Sequence, residues 1–190
     1  MKNSIIISIK ILTIFTLLTG ILYPLLITGI AQITFPDRAN GSLLTRKGGL
    51  IGSKLIGQEF DSTAYFWSRP SATGYNPIPS GGSNLGPTSN TLKNQVNQRL
   101  KTFINSNDIS NSKIPNEMIF ASASGLDPHI SPSAALLQVN RIAKTRQFSE
   151  VRKLELINLI NRLTEGPQFG IFGNKRINVL LLNLELDKMQ

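Results

Sequence analysis

Residues Ile11 to Phe35 read ILTIFTLLTGILYPLLITGIAQITF, about 25 residues without a formal charge. As a helix rising 1.5 Å per residue this stretch would be roughly 37 Å long, more than the ~30 Å hydrocarbon core of a bilayer. It predicts one spanning helix. The chain after it is polar enough to live in water, so a soluble domain on a single anchor is expected. The main rival is a cleaved signal peptide. Lys2 and Lys10 supply a basic start, and Gly29-Ile30-Ala31 supplies small residues for a cut. The apolar run is nevertheless longer than the roughly 7–15 residues of a signal core, which favours an uncleaved anchor. A buried core helix seldom runs this far without a charge.

These features divide the chain into a basic N-terminal segment (1–10), a transmembrane helix (11–35), a connector (36–49) and a soluble domain (50–190). Arg38, Arg46, Lys47 and Lys54 follow the helix, so a simple charge count does not hold the N-terminus inside. A long following domain is largely exempt from that rule. The short basic start ahead of a signal-like segment places the N-terminus in the cytoplasm and the domain outside it. Within the helix, Thr16, Gly20, Pro24 and Thr28 recur every four residues. Small residues let helices approach closely and threonine can bond across, so this stripe is read as a packing face for a membrane partner. The plain alternative is that Gly, Thr and Pro are ordinary in spanning helices.

The 190 residues carry a formal net charge of +9. The cations are spread along the chain rather than clustered among aromatics, which argues against nucleic acid and favours a cationic solvated surface over one dedicated to anionic lipid or an acidic partner. With no cysteine there are no disulfides, no thiolate metal sites and no cysteine nucleophile. One histidine and no cysteine cannot build a zinc site of the common kind.

Beyond the connector, Leu50-Ile51 and Leu55-Ile56 read as short strands. YFWSRPSATGYN, Tyr65 to Asn76, is the most aromatic segment. Most of its rings suit a core edge, with Arg69, beside Pro70, the residue expected to face a partner. Pro77 to Ser89 is a loop, and Ser80-Gly81-Gly82-Ser83, followed by Asn84, could form a nest of N–H groups for an anion or a carbonyl-rich surface. Gly81 and Gly86 have phosphate-loop spacing, but Pro87 stands where lysine is required, so that motif is rejected. Thr91 to Ile104 is helical, with Leu92, Val96, Leu100 and Ile104 on one stripe. Asn105 to Asn116 reads as a polar mobile loop and Met118 to Ala121 as a buried strand. Asp127 and His129 invite a hydrolase reading with Ser124 or Ser131, but no nucleophile elbow accompanies them. Ser131 capping a helix with Pro132 in its first position, and His129 bracing the turn before it, explains more. A second helix is expected after Ser149, with Val151, Leu154, Ile157, Ile160 and Leu163 as its buried stripe. Arg176 to Leu186, RINVLLLNLEL, reads as a central strand. The sum is an α+β domain, a small mixed sheet with at least three helices, on a single N-terminal transmembrane helix.

Several of these segments together, the anchor, YFWSRPSATGYN, SGGSNLGP, SGLDPHISPSAA, the helix with Gln138 and Arg141, and RINVLLLNLELD, resemble the KdpC family. They span nearly the whole chain in family order. The departures fall in the 105–116 loop and the C-terminal tail. The resemblance implies a subunit of a bacterial potassium-transporting ATPase. Its partners would be a channel-like potassium-selective subunit (KdpA), a P-type ATPase subunit (KdpB) and a small peptide (KdpF). Such a subunit is no enzyme alone and holds no firm cofactor. One account of the family has it assemble the complex over the extracytoplasmic channel entrance. Another has it raise the ATP affinity of the ATPase subunit, and only there would ATP touch it. Tyr65, Arg69, Pro70, the Ser80–Asn84 loop, Asp127, His129 and Arg141 are then candidate partner or loop contacts. The stripe from Thr16 to Thr28 would face the channel subunit.

Overall fold

The computed structural model describes residues 2–46, 48–109 and 114–189, and the chain divides into two compact units, Met1–Ser53 and Lys54–Gln190. In the first, α1 (Lys2–Leu17), a π turn (Leu18–Leu22) and α2 (Tyr23–Thr34) form one continuous helix, the only one among the described residues long and apolar enough to cross a membrane. The π turn has a local cause. Pro24 has no N–H for the carbonyl of Gly20, and its ring would press on that carbonyl in a regular helix. The helix takes in one extra residue there, with the Tyr23 N–H bonding the carbonyl of Leu18.

The connector is more ordered than its composition suggested. It holds a single helical turn, α3 (Pro36–Ala39), and then β1 (Leu43–Arg46), which pairs antiparallel with β2 (Gly49–Ser53). Leu50-Ile51 is therefore in a strand, as expected. Leu55-Ile56 is not; it lies in a turn.

The second unit is α+β, with helices dominating. Its helices are α4 (Asn90–Asn107), α5 (Pro132–Thr145), α6 (Glu150–Leu163) and α7 (Val179–Leu186). Ser89, Ser131 and Ser149 cap α4, α5 and α6 by accepting the N–H three residues on, and Pro132 fills the first position of α5. The core gathers Phe66 and Phe103 with Ala134, Ala135, Val139 and Ile142 of α5, Leu156, Leu159 and Ile160 of α6, and Val179, Leu182 and Leu186 of α7.

Four local expectations are corrected. RINVLLLNLEL is not a central strand. Only Ile177–Asn178 is strand (β4), paired with His129–Ile130 (β3), and α7 follows at once. The ladder is stopped on both sides by proline. In this antiparallel register Val179 would oppose Pro128, and the residue opposite Lys175 would be Pro132; neither proline can donate. Asn178 then caps the run by accepting the Leu181 N–H. Valine and leucine on every side suit a helix wholly inside the core as well as a central strand. Met118 to Ala121 is not a strand either. A 3-10 turn (Asn116–Met118) takes up the local donors, with Met118 and Ile119 N–H bonding the carbonyls of Pro115 and Asn116. In α6 the buried face is Leu156, Leu159 and Ile160, while Val151 and Leu154 are exposed. A row taken every three residues slips by about 60° a step, so five members wind most of the way around a helix. The expected loop at 105–116 starts later than read, because α4 runs to Asn107; residues 110–113 lie outside the described residues.

Candidate functional site

Three groups of the expected residues come together around the turn before α5. Asp127 accepts Arg69 Nη1 on Oδ2 at 2.6 Å and the His129 N–H on Oδ1 at 3.0 Å, and His129 Nδ1 lies 3.4 Å from Oδ1. Burial raises the Asp127 pKa, but the hydrogen bonds from the His129 side chain and backbone and the Arg69 guanidinium outweigh it and hold the carboxyl down at about 2. On the other side of Arg69, its carbonyl accepts the Tyr75 hydroxyl at 2.7 Å. Burial first, and then the Glu59 carboxylate, push that phenol up to about 12, with Arg99 opposing.

The glycine loop joins the same cluster. The Gly81 N–H donates to the carbonyl of Ser124 at 2.9 Å, and the Ser122 N–H to that of Pro70 at 3.0 Å. Gly125 is the pivot. At φ +71° it adopts a backbone that only glycine takes freely, and a Cβ there would stand 2.6 Å from Thr73 Oγ1 and 2.9 Å from the Gly81 carbonyl. One donor of the expected anion nest is thus taken within the domain. Ser80, Ser83 and Asn84 stay exposed.

The arrangement is a brace for a turn and lacks the geometry of a hydrolase. Ser131 Oγ caps α5 by accepting the Ala134 N–H and lies 2.8 Å from Ser133 Oγ; Ser124 Oγ accepts the Leu126 N–H. No serine hydroxyl is bonded to His129, and no cluster of metal-ligating side chains occurs, among the described residues.

Arg141 is placed elsewhere, inside the domain at 5 % exposure. Its Nε donates to Asn107 Oδ1 at 3.0 Å, Nη2 to Gln138 Oε1 at 2.7 Å and Nη1 to the Thr63 carbonyl, and its guanidinium stacks 4.3 Å from the Trp67 ring centroid. These acceptors are all neutral, and burial pushes the guanidinium down to about 10. Its donors are directed at its own chain. The Ser62–Trp67 segment has no regular structure, and side chains from α5 and α7 supply its partners. Gln138 Oε1 accepts the Trp67 N–H at 2.7 Å, Arg146 Nε donates to the Ala64 carbonyl at 2.8 Å, and the Arg146 guanidinium lies 4.8 Å from the Tyr65 ring centroid. Tyr65 is therefore half-buried against a cation. Sequence reasoning missed Gln138, Asn183 and Arg146 as the hands that hold this segment; a buried amide or guanidinium has no signal in spacing alone.

In the long apolar helix, four-residue steps drift by about 40° each, so Thr16 and Thr28 would lie about 120° apart in a regular helix. The extra residue of the π turn returns about 100° and brings them close to one line. The Thr28 hydroxyl donates back to the Pro24 carbonyl at 2.7 Å.

The model of the family described as "KdpC: K+-transporting ATPase, c chain" matches residues 5–188. Among curated proteins, the potassium-transporting ATPase KdpC subunit of Koribacter versatilis is 47% identical over 100% of this chain and 97% of its own length. That of Geotalea uraniireducens is 49% identical, covering 93% of both chains, and that of Geobacter metallireducens 48%, covering 96% of both. The match extends from the apolar helix through the braced turn to the last helix, and the chain belongs to the KdpC family.

Proposed function

We propose that this chain is the non-catalytic C subunit of a potassium-importing ATPase, needed for assembly and activity of the complex. Its single helix anchors it in the plasma (inner) membrane, N-terminus in the cytoplasm, and its domain lies outside, over the entrance of the channel-like subunit KdpA. The ATPase subunit KdpB and the small peptide KdpF complete the assembly. Family membership along nearly the whole chain carries this reading. The polar groups of the domain support it, because the buried ones hold the chain together and do not converge on a reacting atom. The stripe of Thr16, Gly20, Pro24 and Thr28 is the proposed contact with the channel-like subunit in the bilayer. The excess of cations would face acidic partner surfaces or head groups and leave the ion path to carboxylates.

The rival role, raising the ATP affinity of KdpB, would need the nucleotide to reach this domain if it acts by contact. A domain outside the cytoplasm does not meet ATP. A cleft of about 480 Å³ between the aromatic segment and α4 also disfavours a triphosphate, since Glu59 and Asp61 line it and Arg99 is the one cation of its lining. Any effect on ATP affinity is then indirect, through an element with two states that both sites bias. The test is to purify the complex by a tag on KdpB from cells with and without this chain. With it, the channel-like and ATPase subunits are recovered together and potassium uptake supports growth at limiting potassium. Recovery of an active complex in its absence would sink the proposal.

A further inference from the structure

The cleft between the aromatic segment and α4 joins two kinds of chemistry. Its inner lining is apolar and aromatic: Phe103 and Met118 are buried, and Phe60, Trp67 and Tyr75 are half-buried. The Trp67 and Phe103 rings meet edge to face, 6.3 Å between centroids. The polar atoms of this side are already bonded within the chain. Trp67 Nε1 donates to the Ser62 carbonyl at 3.0 Å, the Tyr75 hydroxyl to the Arg69 carbonyl at 2.7 Å and the Ser68 hydroxyl to the Gln58 carbonyl at 2.8 Å. Arg99, one turn before Phe103 on the same face of α4, gives Nη1 to the Ile119 carbonyl at 3.3 Å. Glu59 and Asp61 are different. Both are exposed in the lining, and neither forms an ion pair among the described residues. On the Tyr75 phenol, after the effect of burial, the Glu59 charge outweighs that of Arg99. In a chain of net charge +9, this is a concave site where carboxylates outnumber cations.

We infer that this cleft binds a small organic cation from solution, an ammonium group carrying methyl or methylene carbons. The two carboxylates complement its charge, and the aromatic lining takes up its carbons and attracts the cation. Other guests fit less well. An anion would be repelled by Glu59 and Asp61. A bare divalent metal ion wants several oxygens converging on one point, and no group of three metal-ligating side chains occurs among the described residues. A neutral guest would draw nothing from the carboxylates. The volume, about 480 Å³, lies in the range of roughly 300–1,000 Å³ that small-molecule sites occupy. A single lysine side chain reaching in from another subunit would leave most of that room empty.

Binding is read directly, by equilibrium dialysis of radiolabelled choline and of radiolabelled spermidine against the full-length chain in detergent at low salt. At least one of the two should bind saturably. Binding of neither overturns the inference. Glu59→Gln together with Asp61→Asn should weaken the binding by about tenfold, since two exposed charge contacts are removed. Both side chains are exposed, so the thermal midpoint of this variant should stay at the natural value. Gln98, also exposed in the lining, gives the opposite variant. Gln98→Glu adds a third carboxylate and should tighten binding severalfold, a gain that damage to the fold cannot mimic. Affinities unchanged in both variants overturn the inference. The whole complex should bind the same probe as the chain alone. A probe that binds the chain alone and is excluded from the complex overturns the free-ligand inference and gives the cleft to a side chain of another subunit.

Discussion

The side-chain amide of Asn183 in α7 bonds both polar groups of the Phe66 backbone, accepting its N–H on Oδ1 at 2.9 Å and donating from Nδ2 to its carbonyl at 3.0 Å. It does for Phe66 what a neighbouring strand would do. Phe66 is fully buried, so its backbone has no water to turn to. Asn183→Leu would keep the volume and leave two buried groups without partners. The expected loss is about 2–4 kcal/mol of stability, read as the denaturant midpoint of the full-length chain in detergent. A loss under ~1 kcal/mol would mean that water reaches Phe66.

Arg141 is a buried cation with no carboxylate among its hydrogen-bond partners, held by Asn107, Gln138 and the Thr63 carbonyl and stacked on Trp67. Lysine cannot reproduce a flat fork that reaches three directions. Arg141→Lys should therefore destabilise the chain by ~3 kcal/mol or more. Trp67, the one tryptophan, reports unfolding by its fluorescence. A variant as stable as the natural chain would deny Arg141 this structural role.

The Asp127 carboxyl is held at about 2, below its ordinary value of 3.8. A depressed carboxyl stabilises the fold above the ordinary value and loses that contribution as pH falls toward 2. Thermal midpoints of the natural chain should therefore fall between about pH 4 and pH 2. Asp127→Asn should start lower at pH 6 and show a shallower fall across that window. Parallel curves for the two chains would place the acid sensitivity elsewhere.

Gly125→Ala should cost about 2–4 kcal/mol, because the strained backbone and the contact with the Gly81 carbonyl add. The effect should be larger than that of Gly86→Ala, where a Cβ would meet nothing within 4 Å. Equal effects at the two sites would mean that the glycine loop does not pack on residues 122–127 as described.

The starts of α5 and α6 were legible because they rest on local chemistry. Ser131-Pro132 and Ser149-Glu150 each announce a cap, and both caps are present, whereas Ser89, read as the end of a loop, also caps a helix, which begins one residue before the start read at Thr91. The long apolar helix was legible from its length and lack of charge. The misread strand and the unseen holders of the aromatic segment depended on partners distant in the chain. The run after Asn178 is apolar on every side, and only the register against Pro128 and Pro132, some 50 residues away, decides for helix. The aromatic segment was assigned to the core correctly, but the amides and guanidinia that hold its backbone come from residues roughly 70–120 positions on. The turn of Asp127 and His129 was read as a brace from Pro128 and the cap beyond it. That Arg69 completes the brace could not be seen, since nothing local joins positions 69 and 127.

The central claim, a domain outside the cytoplasm that cannot meet ATP, is tested most directly through the chain's lack of cysteine. Asn97 is exposed on α4, away from the braced turn in sequence. Asn97→Cys, in intact cells carrying the whole complex, should react with a membrane-impermeant thiol reagent without lysis. Labelling only after lysis would place the domain in the cytoplasm, contradict the proposed topology and make direct action on nucleotide binding the leading account.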